Sequence, residues 1–217
     1  MNIEQARFNM IEQQIRPWDV LDRSVLELLA AMRREDFVPP ALRALAFVDQ
    51  ELPLPCGERM LSPKVEARLL QEAQVGSQDA VLEIGTGSGF MAALLGQRAR
   101  SVLTLEDQPD LARFAEINLR AARADNVQVR QMDGRAGAPA LGPFDIIVLS
   151  GSVHDVPADL LAQLKPGGRL MAIVGDEPVM RAVRMTRRDD GGVDRLDLFD
   201  TVAPRLRGFA EASRFKF

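Results

Sequence analysis

The sequence predicts an α/β fold in which a doubly wound, mostly parallel sheet follows an N-terminal helical extension. Strand-like apolar segments alternate with helical segments from residue 79 onward, the pattern of a parallel sheet with helices on both faces. A Gly-x-Gly-x-Gly turn at residues 85–89 joins the first of these strands to a helix. Two further strand segments flank Asp-Asp-Gly-Gly at residues 189–192, which predicts an antiparallel hairpin at the end of the sheet.

The first 75 residues predict helices and one long loop. Helical periodicity is found in four segments, residues 4–15, 22–32, 41–46 and 64–74. Asp22 is the predicted N-cap of the second helix. Residues 47–63 lack periodicity, and an irregular segment of this length in a compact domain is usually functional. Because no linker follows, we interpret residues 1–75 as a cap within a single domain of residues 1–217, with residues 76–217 as the ligand-binding core.

The core predicts seven strands. They are expected at residues 80–84, 101–105, 127–131, 145–149, 169–174, 179–186 and 193–198. Helices are expected at residues 90–99, 111–123 and 158–164. Lys-Pro-Gly-Gly at residues 165–168 predicts a tight turn into the fifth strand. In such a sheet, ligands bind beyond the carboxyl ends of the strands, near the point where the strand order reverses.

The glycine turn predicts a site for a ligand with a positively charged end. Its glycines let a ligand approach the backbone closely, because no Cβ intervenes. The dinucleotide fingerprint would need a third glycine at position 90, where the chain has Phe90. An acid two residues ahead of the first glycine suits S-adenosylmethionine (SAM), which carries an ammonium and a sulfonium but no phosphate. The candidate contacts are Glu83, Gly85, Thr86, Gly87 and Gly89. A tight turn without a ligand stays open as the alternative.

Acids also stand at the ends of the next two predicted strands. Glu106 can accept hydrogen bonds from both hydroxyls of a ribose, which fits SAM and NAD equally well. Asp133 can accept from an adenine amino group, and Gly134 allows close approach to the ring. Ser150 closes the fourth strand, where either a contact to the methionine end or a plain loop is possible.

Composition excludes several classes of function. The 217 residues carry a net charge of −4, which argues against a nucleic-acid groove. The chain has a single cysteine, Cys56, and a single histidine, His154, which argues against a metal site built from these residue types. The single cysteine also fits a reducing compartment. Neither a signal peptide nor an apolar run of membrane-spanning length is present, so we predict a cytoplasmic protein without a membrane segment. The sequence does not indicate an oligomeric state.

Five segments along the chain carry a family resemblance. They are residues 10–16 (Met-Ile-Glu-Gln-Gln-Ile-Arg), 34–39 (Arg-Glu-Asp-Phe-Val-Pro), 49–54 (Asp-Gln-Glu-Leu-Pro-Leu), 81–89 and 164–170. With them the chain resembles the protein-L-isoaspartate (D-aspartate) O-methyltransferases. The resemblance implies a Rossmann-like class I methyltransferase fold with a seven-stranded sheet, SAM as cofactor, and peptides or proteins with isoaspartyl residues as substrates. It further implies methyl transfer to the isoaspartyl carboxyl, the step that starts repair of damaged proteins.

The long loop departs from that family. The family pattern is Gly-Gln-Thr-Ile-Ser-x-Pro, whereas residues 57–63 are Gly-Glu-Arg-Met-Leu-Ser-Pro. The resemblance therefore places Leu61 at the position of the active-site serine and Arg59 at that of the threonine. Ser62, one residue later, is a candidate substitute, Arg59 a candidate substrate contact, and residues 60 and 61 are expected to pack over the cofactor.

The departure leaves three hypotheses open. The first is an isoaspartyl carboxyl methyltransferase, whose acceptor is already ionised at neutral pH and needs positioning more than acid–base help. The second is a methyltransferase for a different acceptor, and the third a SAM-binding protein without catalysis. His154 is a candidate for approaching an acceptor, with a solvated loop histidine as the alternative, and Cys56 is expected to be an inert thiol.

Overall fold

The computed structural model describes residues 2–209 and contains one seven-stranded sheet. Its strands are β3 (Ala80–Ile84), β4 (Ser101–Glu106), β5 (Val127–Gln131), β6 (Phe144–Val153), β7 (Leu164–Asp176), β8 (Val179–Arg187) and β9 (Val193–Thr201). Their order across the sheet is β5-β4-β3-β6-β7-β8-β9. Strands β3 to β7 pair in parallel, and β8 and β9 add to β7 as an antiparallel hairpin. The predicted seven-stranded, mostly parallel sheet is confirmed. The predicted domain also includes residue 1 and residues 210–217, which lie outside the described residues.

The strand order changes direction at β3. β4 and β5 lie on one side of β3 and β6 to β9 on the other, so the carboxyl end of β3 marks the switch point of the sheet. The glycine turn leaves β3 at this place, which is where ligands bind in doubly wound sheets. The topology therefore positions the predicted ligand site.

Both faces of the sheet are covered. Side chains alternate along β6, so that Ile146 belongs to one apolar core and Ile147 to the other, and both are fully buried. Burial on both faces explains why β6 is a continuous apolar run and not an alternating pattern. The helices are α1 (Ile3–Met10), α2 (Arg23–Ala31), α3 (Pro63–Ala73), α4 (Phe90–Gly96), α5 (Pro109–Ala121) and α6 (Ala158–Leu161). Within residues 2–209, none of the helices is long and apolar enough to cross a membrane.

The N-terminal extension shares the first of these cores. Ile15, Leu29 and Leu70 are buried in the same cluster as Leu95 and Ile146 of the sheet domain. Asp22 caps α2 by accepting a hydrogen bond from the backbone N–H of Ser24 at 2.8 Å, as its position before an apolar periodic segment predicts. The extension is thus packed continuously with the sheet domain.

Several predicted boundaries are wrong. The first helix is not regular over residues 4–15, because α1 continues as one π-helical turn (Ile11–Ile15) and one 3₁₀ turn (Arg16–Trp18). The segment at residues 41–46 is a 3₁₀ turn (Pro40–Leu45), and α6 ends at Leu161, short of the predicted residue 164. β7 begins before the Lys-Pro-Gly-Gly turn, which appears as a register shift against β6. In the long loop, β1 (Leu52–Pro53) pairs with β2 (Arg59–Met60).

Candidate active site

A small cavity lies at the carboxyl ends of β3, β4, β5 and β6, with a volume of about 60 Å³. Six of the residues predicted to bind a cofactor line it, namely Gly85, Gly87, Glu106, Asp133, Gly134 and Ser150. These residues come from four separate strand ends, and only the parallel topology brings them together. Arg59 of the long loop lies in the same wall.

Gly85 begins the turn in a conformation that favours glycine. Its φ is +90°, and its backbone N–H donates to the carbonyl of Leu105 at 2.9 Å. The next glycine of the wall, Gly87, has φ +55° and donates its N–H to the Glu106 carboxylate at 2.9 Å. The turn is thus tied to the end of β4 by backbone and side-chain hydrogen bonds.

Glu106 is a buried carboxylate that faces the cavity. It accepts from the N–H groups of Gly87 at 2.9 Å and Gln108 at 3.2 Å. Burial raises the pKa of Glu106 to about 7, although both N–H groups favour its ionised form. Each carboxylate oxygen keeps lone pairs beyond these bonds, so Glu106 can still accept hydrogen bonds from a pair of hydroxyls.

The end of β5 carries an acid that is already paired. Asp133 accepts from the Arg135 side chain, with Nε at 2.8 Å from Oδ2, and this bond lowers the pKa of Asp133. Gly134 packs against Ile84, since a Cβ at this position would lie 2.5 Å from Ile84 Cγ2. Position 134 therefore needs glycine because the Ile84 side chain at the end of β3 lies so close, whether or not a ligand also contacts this position.

Glu83 does not line the cavity, contrary to the direct ligand contact expected from the sequence. It is fully buried beneath the cavity, where it accepts from the hydroxyls of Ser150 at 2.6 Å and Thr104 at 2.7 Å. The Thr104 hydroxyl in turn shares a 2.6 Å hydrogen bond with Thr86, which is also buried and outside the wall. Burial raises the pKa of Glu83 to about 8. Glu83 thus holds Ser150 of the cavity wall in place, and Thr86 belongs to the same buried hydrogen-bond network.

Gly89 is likewise a packing residue here. It does not line the cavity, and a Cβ on it would lie 3.1 Å from Leu119 and 3.4 Å from Ala115 of α5. Its φ of +84° places it at the start of α4. The third glycine of the motif therefore lets α4 and α5 approach each other. The spacing of the glycines in the sequence does not distinguish this packing role from ligand binding.

The long loop places its residues differently from the expectation. The Leu61 side chain is buried in the first apolar core, together with Met60, and neither residue lines the cavity. Ser62 lies before α3 and faces a separate groove that it shares with Lys64 and Val179. Of the loop residues predicted to act on the substrate, the cavity receives Arg59 alone. Residues 60 and 61 therefore pack into the core and not over a cofactor.

A buried ion pair holds this loop. Arg34 and Glu66 are almost fully buried and hydrogen-bonded to each other. Arg34 also donates from Nη2 to the Leu61 carbonyl at 2.7 Å and from Nε to the Ala46 carbonyl at 3.0 Å. Its guanidinium lies 4.9 Å from the centroid of the Phe90 ring at the start of α4. One side chain thus links both ends of the loop to α3 and α4, although nothing in sequence spacing pairs residue 34 with residue 66.

The C-terminal segment is the part of the site that sequence reasoning missed. Residues 204–207 and Phe209 line the cavity, and Leu206 lies against Gly85 of the glycine turn. They lie more than fifty residues after Ser150 in the sequence. A short stretch with Pro, Gly and Arg gives no periodic signal, so only the fold shows that it meets the strand ends.

The two remaining candidates lie beside the site. His154 Nδ1 is 2.7 Å from Asp176 Oδ2, and both side chains are about two-fifths exposed. Cys56 is exposed in the long loop. Among residues 2–209, no group of three or more His, Cys, Asp or Glu side chains is arranged to hold a metal ion.

The sheet order, the final antiparallel hairpin and the glycine turn after the first parallel strand define the class of the protein. It has the fold of the class I methyltransferases. The family model for protein-L-isoaspartate(D-aspartate) O-methyltransferase matches residues 5–202, so the chain belongs to this family.

Relatives agree with this membership, and a solved structure shares the fold. The chain is 38% identical to the protein-L-isoaspartate O-methyltransferase of Koribacter versatilis over 194 residues, which covers 89% of this chain and 87% of that protein. Its identity to the protein of the same name from Rhodopseudomonas palustris is 37%, over 93% of this chain and 94% of the relative. A putative protein-L-isoaspartate O-methyltransferase from Plasmodium falciparum, solved with S-adenosyl-L-homocysteine, superposes with a TM-score of 0.77 at 19% identity, over 95% of this chain and 99% of that one.

Proposed function

We propose that the chain transfers a methyl group from SAM to the free carboxyl of isoaspartyl residues in damaged proteins. Family membership supports the reaction, and the carboxylate of Glu106 beside the glycine turn is the structural observation that carries the cofactor assignment. When bound, SAM supplies an electrophilic methyl group on a sulfonium. One cysteine in 217 residues supports a reducing compartment, and we propose the cytoplasm.

The residues of the cavity fit an adenosyl ligand by their chemistry. Glu106 offers carboxylate oxygens to ribose hydroxyls, and Gly85 and Gly87 expose backbone without side chains. Asp133 and Gly134 lie where they can meet the adenine, and Ser150, held by Glu83, can meet the methionine end. We propose these six residues as the cofactor contacts. Residues 1–75 contribute Glu58 and Arg59 to the wall, which supports their role as a cap.

Positive side chains on the open side of the cavity suit a carboxylate acceptor. Arg59, Arg205 and Arg207 all line it. Arg205 is held by Asp176 at 2.7 Å and by the Gly175 carbonyl at 2.8 Å, while its Nη1 is buried without a hydrogen-bond partner among residues 2–209. A guanidinium recognises a carboxylate through paired N–H groups. Arg59 lies outside the C-terminal segment and can orient an ionised acceptor, while Arg205 and Arg207 add positive charge that attracts it, without any catalytic base.

The buried Leu61 at the family's serine position favours a second candidate, a methyltransferase for a different acceptor. Its test is the double variant Arg59→Thr with Leu61→Ser. We expect this variant to lose about 3–5 kcal/mol of stability, because it leaves a cavity in the apolar core and buries a hydroxyl there. We also expect it to methylate isoaspartyl peptide no faster than wild type, since position 61 does not reach the cavity. A large rise in that rate would support the second candidate.

The proposed reaction is tested with two peptides that differ in one linkage. Purified protein is incubated with methyl-labelled SAM and either an isoaspartyl peptide or the same peptide with a normal aspartyl bond. We expect label in the isoaspartyl peptide alone, released as methanol in alkali because the product is a methyl ester. Transfer at background level to both peptides would overturn the proposal. Label that resists alkali would place the methyl group on a different kind of acceptor.

A further inference from the structure

The segment after the final hairpin lines the cavity and is called the strap, defined here as residues 203–207. It is joined to the end of β6 by the backbone of Ser152. The N–H of Ser152 donates to the Pro204 carbonyl at 2.7 Å, and the N–H of Leu206 donates to the Ser152 carbonyl at 2.9 Å. The Ser152 hydroxyl also donates to the Ala203 carbonyl at 2.9 Å. The strap is therefore held in one register beside the strand end that faces the cavity.

Leu206 packs directly on the glycine turn. A Cβ at Gly85 would lie 2.5 Å from Leu206 Cδ2, and a Cβ at Gly151 would lie 2.9 Å from the same atom. The Leu206 side chain thus fills the concave surface that these two glycines create. That surface is where the backbone is bare enough for a ligand to press against it.

One polar contact of the strap reaches the neighbour of a proposed cofactor contact, and another anchors the strap to the end of β7. Arg207 Nε lies 3.3 Å from Asp107, next to Glu106, and Arg205 pairs with Asp176 at 2.7 Å. With the strap in place, the Leu206 side chain occupies space beside Gly85 and Gly151 that a ligand pressed against this bare backbone would need. The ion pair at Arg207 is half-exposed and contributes little stability, so this contact opposes opening of the strap only weakly.

We propose that the strap is an internal pseudo-ligand, which closes the cofactor site in the cofactor-free protein and is displaced when SAM or its product binds. This inference rests on the proposed function, because it takes the cavity to be the SAM site. Its consequence is that the apparent affinity for the cofactor is reduced by the fraction of molecules in which the strap is closed. Weakening the packing of Leu206 against Gly85 and Gly151 is therefore expected to strengthen cofactor binding.

The test compares three variants by calorimetric titration with S-adenosyl-L-homocysteine. Leu206→Ala is expected to bind on the order of tenfold more tightly than wild type, because binding no longer has to displace a packed leucine. Leu196→Ala, the same truncation at an exposed position of β9, is the matched control and is expected to bind as wild type does. Arg207→Gln weakens one anchor of the strap without changing a packed side chain, and it is expected to shift affinity in the same direction.

Hydrogen exchange of the strap gives the second measurement. The Leu206 amide is hydrogen-bonded in the closed state, so addition of S-adenosyl-L-homocysteine is expected to speed its exchange. Equal or weaker binding by Leu206→Ala, or slower exchange of that amide on binding, would overturn the pseudo-ligand inference and leave the SAM site standing. Absence of binding in wild type and in all three variants would instead overturn the SAM site itself.

Discussion

Replacing Glu106 with alanine is expected to weaken the binding of S-adenosyl-L-homocysteine on the order of 100-fold. Its carboxylate faces the cavity and is the group best placed to accept from both ribose hydroxyls. Hydrogen bonds to a charged acceptor are among the stronger ones in proteins, so loss of two has a large effect. The fold should be retained, because Glu106 bonds only the two loop N–H groups of Gly87 and Gln108. Calorimetric titration measures the change.

The pH dependence of the same binding gives an independent signature. Burial raises the pKa of Glu106 to about 7 in the cofactor-free protein. Donation by ribose hydroxyls favours the ionised form, so the bound state has the lower pKa and affinity falls as pH drops below about 7, by up to about tenfold per pH unit. The Glu106→Gln variant keeps the acids Glu83 and Asp107 but has no titratable group at position 106. It is therefore expected to lose this pH dependence of binding.

The matched control is Glu116→Ala, which removes an exposed glutamate of α5 that does not line the cavity. It is expected to bind S-adenosyl-L-homocysteine as wild type does, with the same pH slope. A Glu106→Ala variant that binds as tightly as this control would show that the ribose is held elsewhere.

The second large effect is expected for Arg34→Met, which should lower the free energy of unfolding by about 3–5 kcal/mol. The substitution leaves the Glu66 carboxylate buried without its cation and removes the donors to the Leu61 and Ala46 carbonyls. Because these bonds hold the loop that carries Glu58 and Arg59 into the cavity, methyl transfer should fall as well. Urea unfolding measures the stability, and the labelled-peptide assay the activity.

Two comparisons make this result specific. Arg33→Met removes the neighbouring arginine, whose side chain is 66% exposed, and is expected to change stability by no more than about 0.5 kcal/mol. Adding Glu66→Leu to Arg34→Met removes the buried carboxylate that has lost its partner. The double variant should recover part of the lost free energy of unfolding, since a buried ion pair can be replaced by apolar residues. Equal stability of Arg34→Met and Arg33→Met would contradict the assigned role of the buried pair.

The sheet was predictable because its signals are local. The bounds of β3 and β5 agree with the predicted residues 80–84 and 127–131, since each is a short run of strand-forming residues between clear breaks. The ends of β6 and β7 were not predictable, because they are set by pairing with each other and with the hairpin and not by their own residues. The same holds for α1, whose helical period persists in the sequence where the backbone changes to a π-helical turn.

The site divides in the same way. Glycines and acids at strand ends mark the cavity because topology fixes where strand ends meet, which is why Gly85 and Glu106 lie together. Sequence spacing cannot tell a residue in the wall from one that supports it, so Glu83 and Gly89 were predicted as cofactor contacts although neither lines the cavity. Nor can it place a distant tail, and the position of Leu206 on the glycine turn is known only from the fold.

The most direct test is a crystal structure of the protein with S-adenosyl-L-homocysteine. We expect both ribose hydroxyls within hydrogen-bonding distance of the Glu106 carboxylate, the adenine beside Gly134, and Leu206 moved away from Gly85. A nucleoside bound outside this cavity would contradict the proposed SAM site, and a saturated crystal in which Leu206 still packs on the glycine turn would contradict the displacement of the strap.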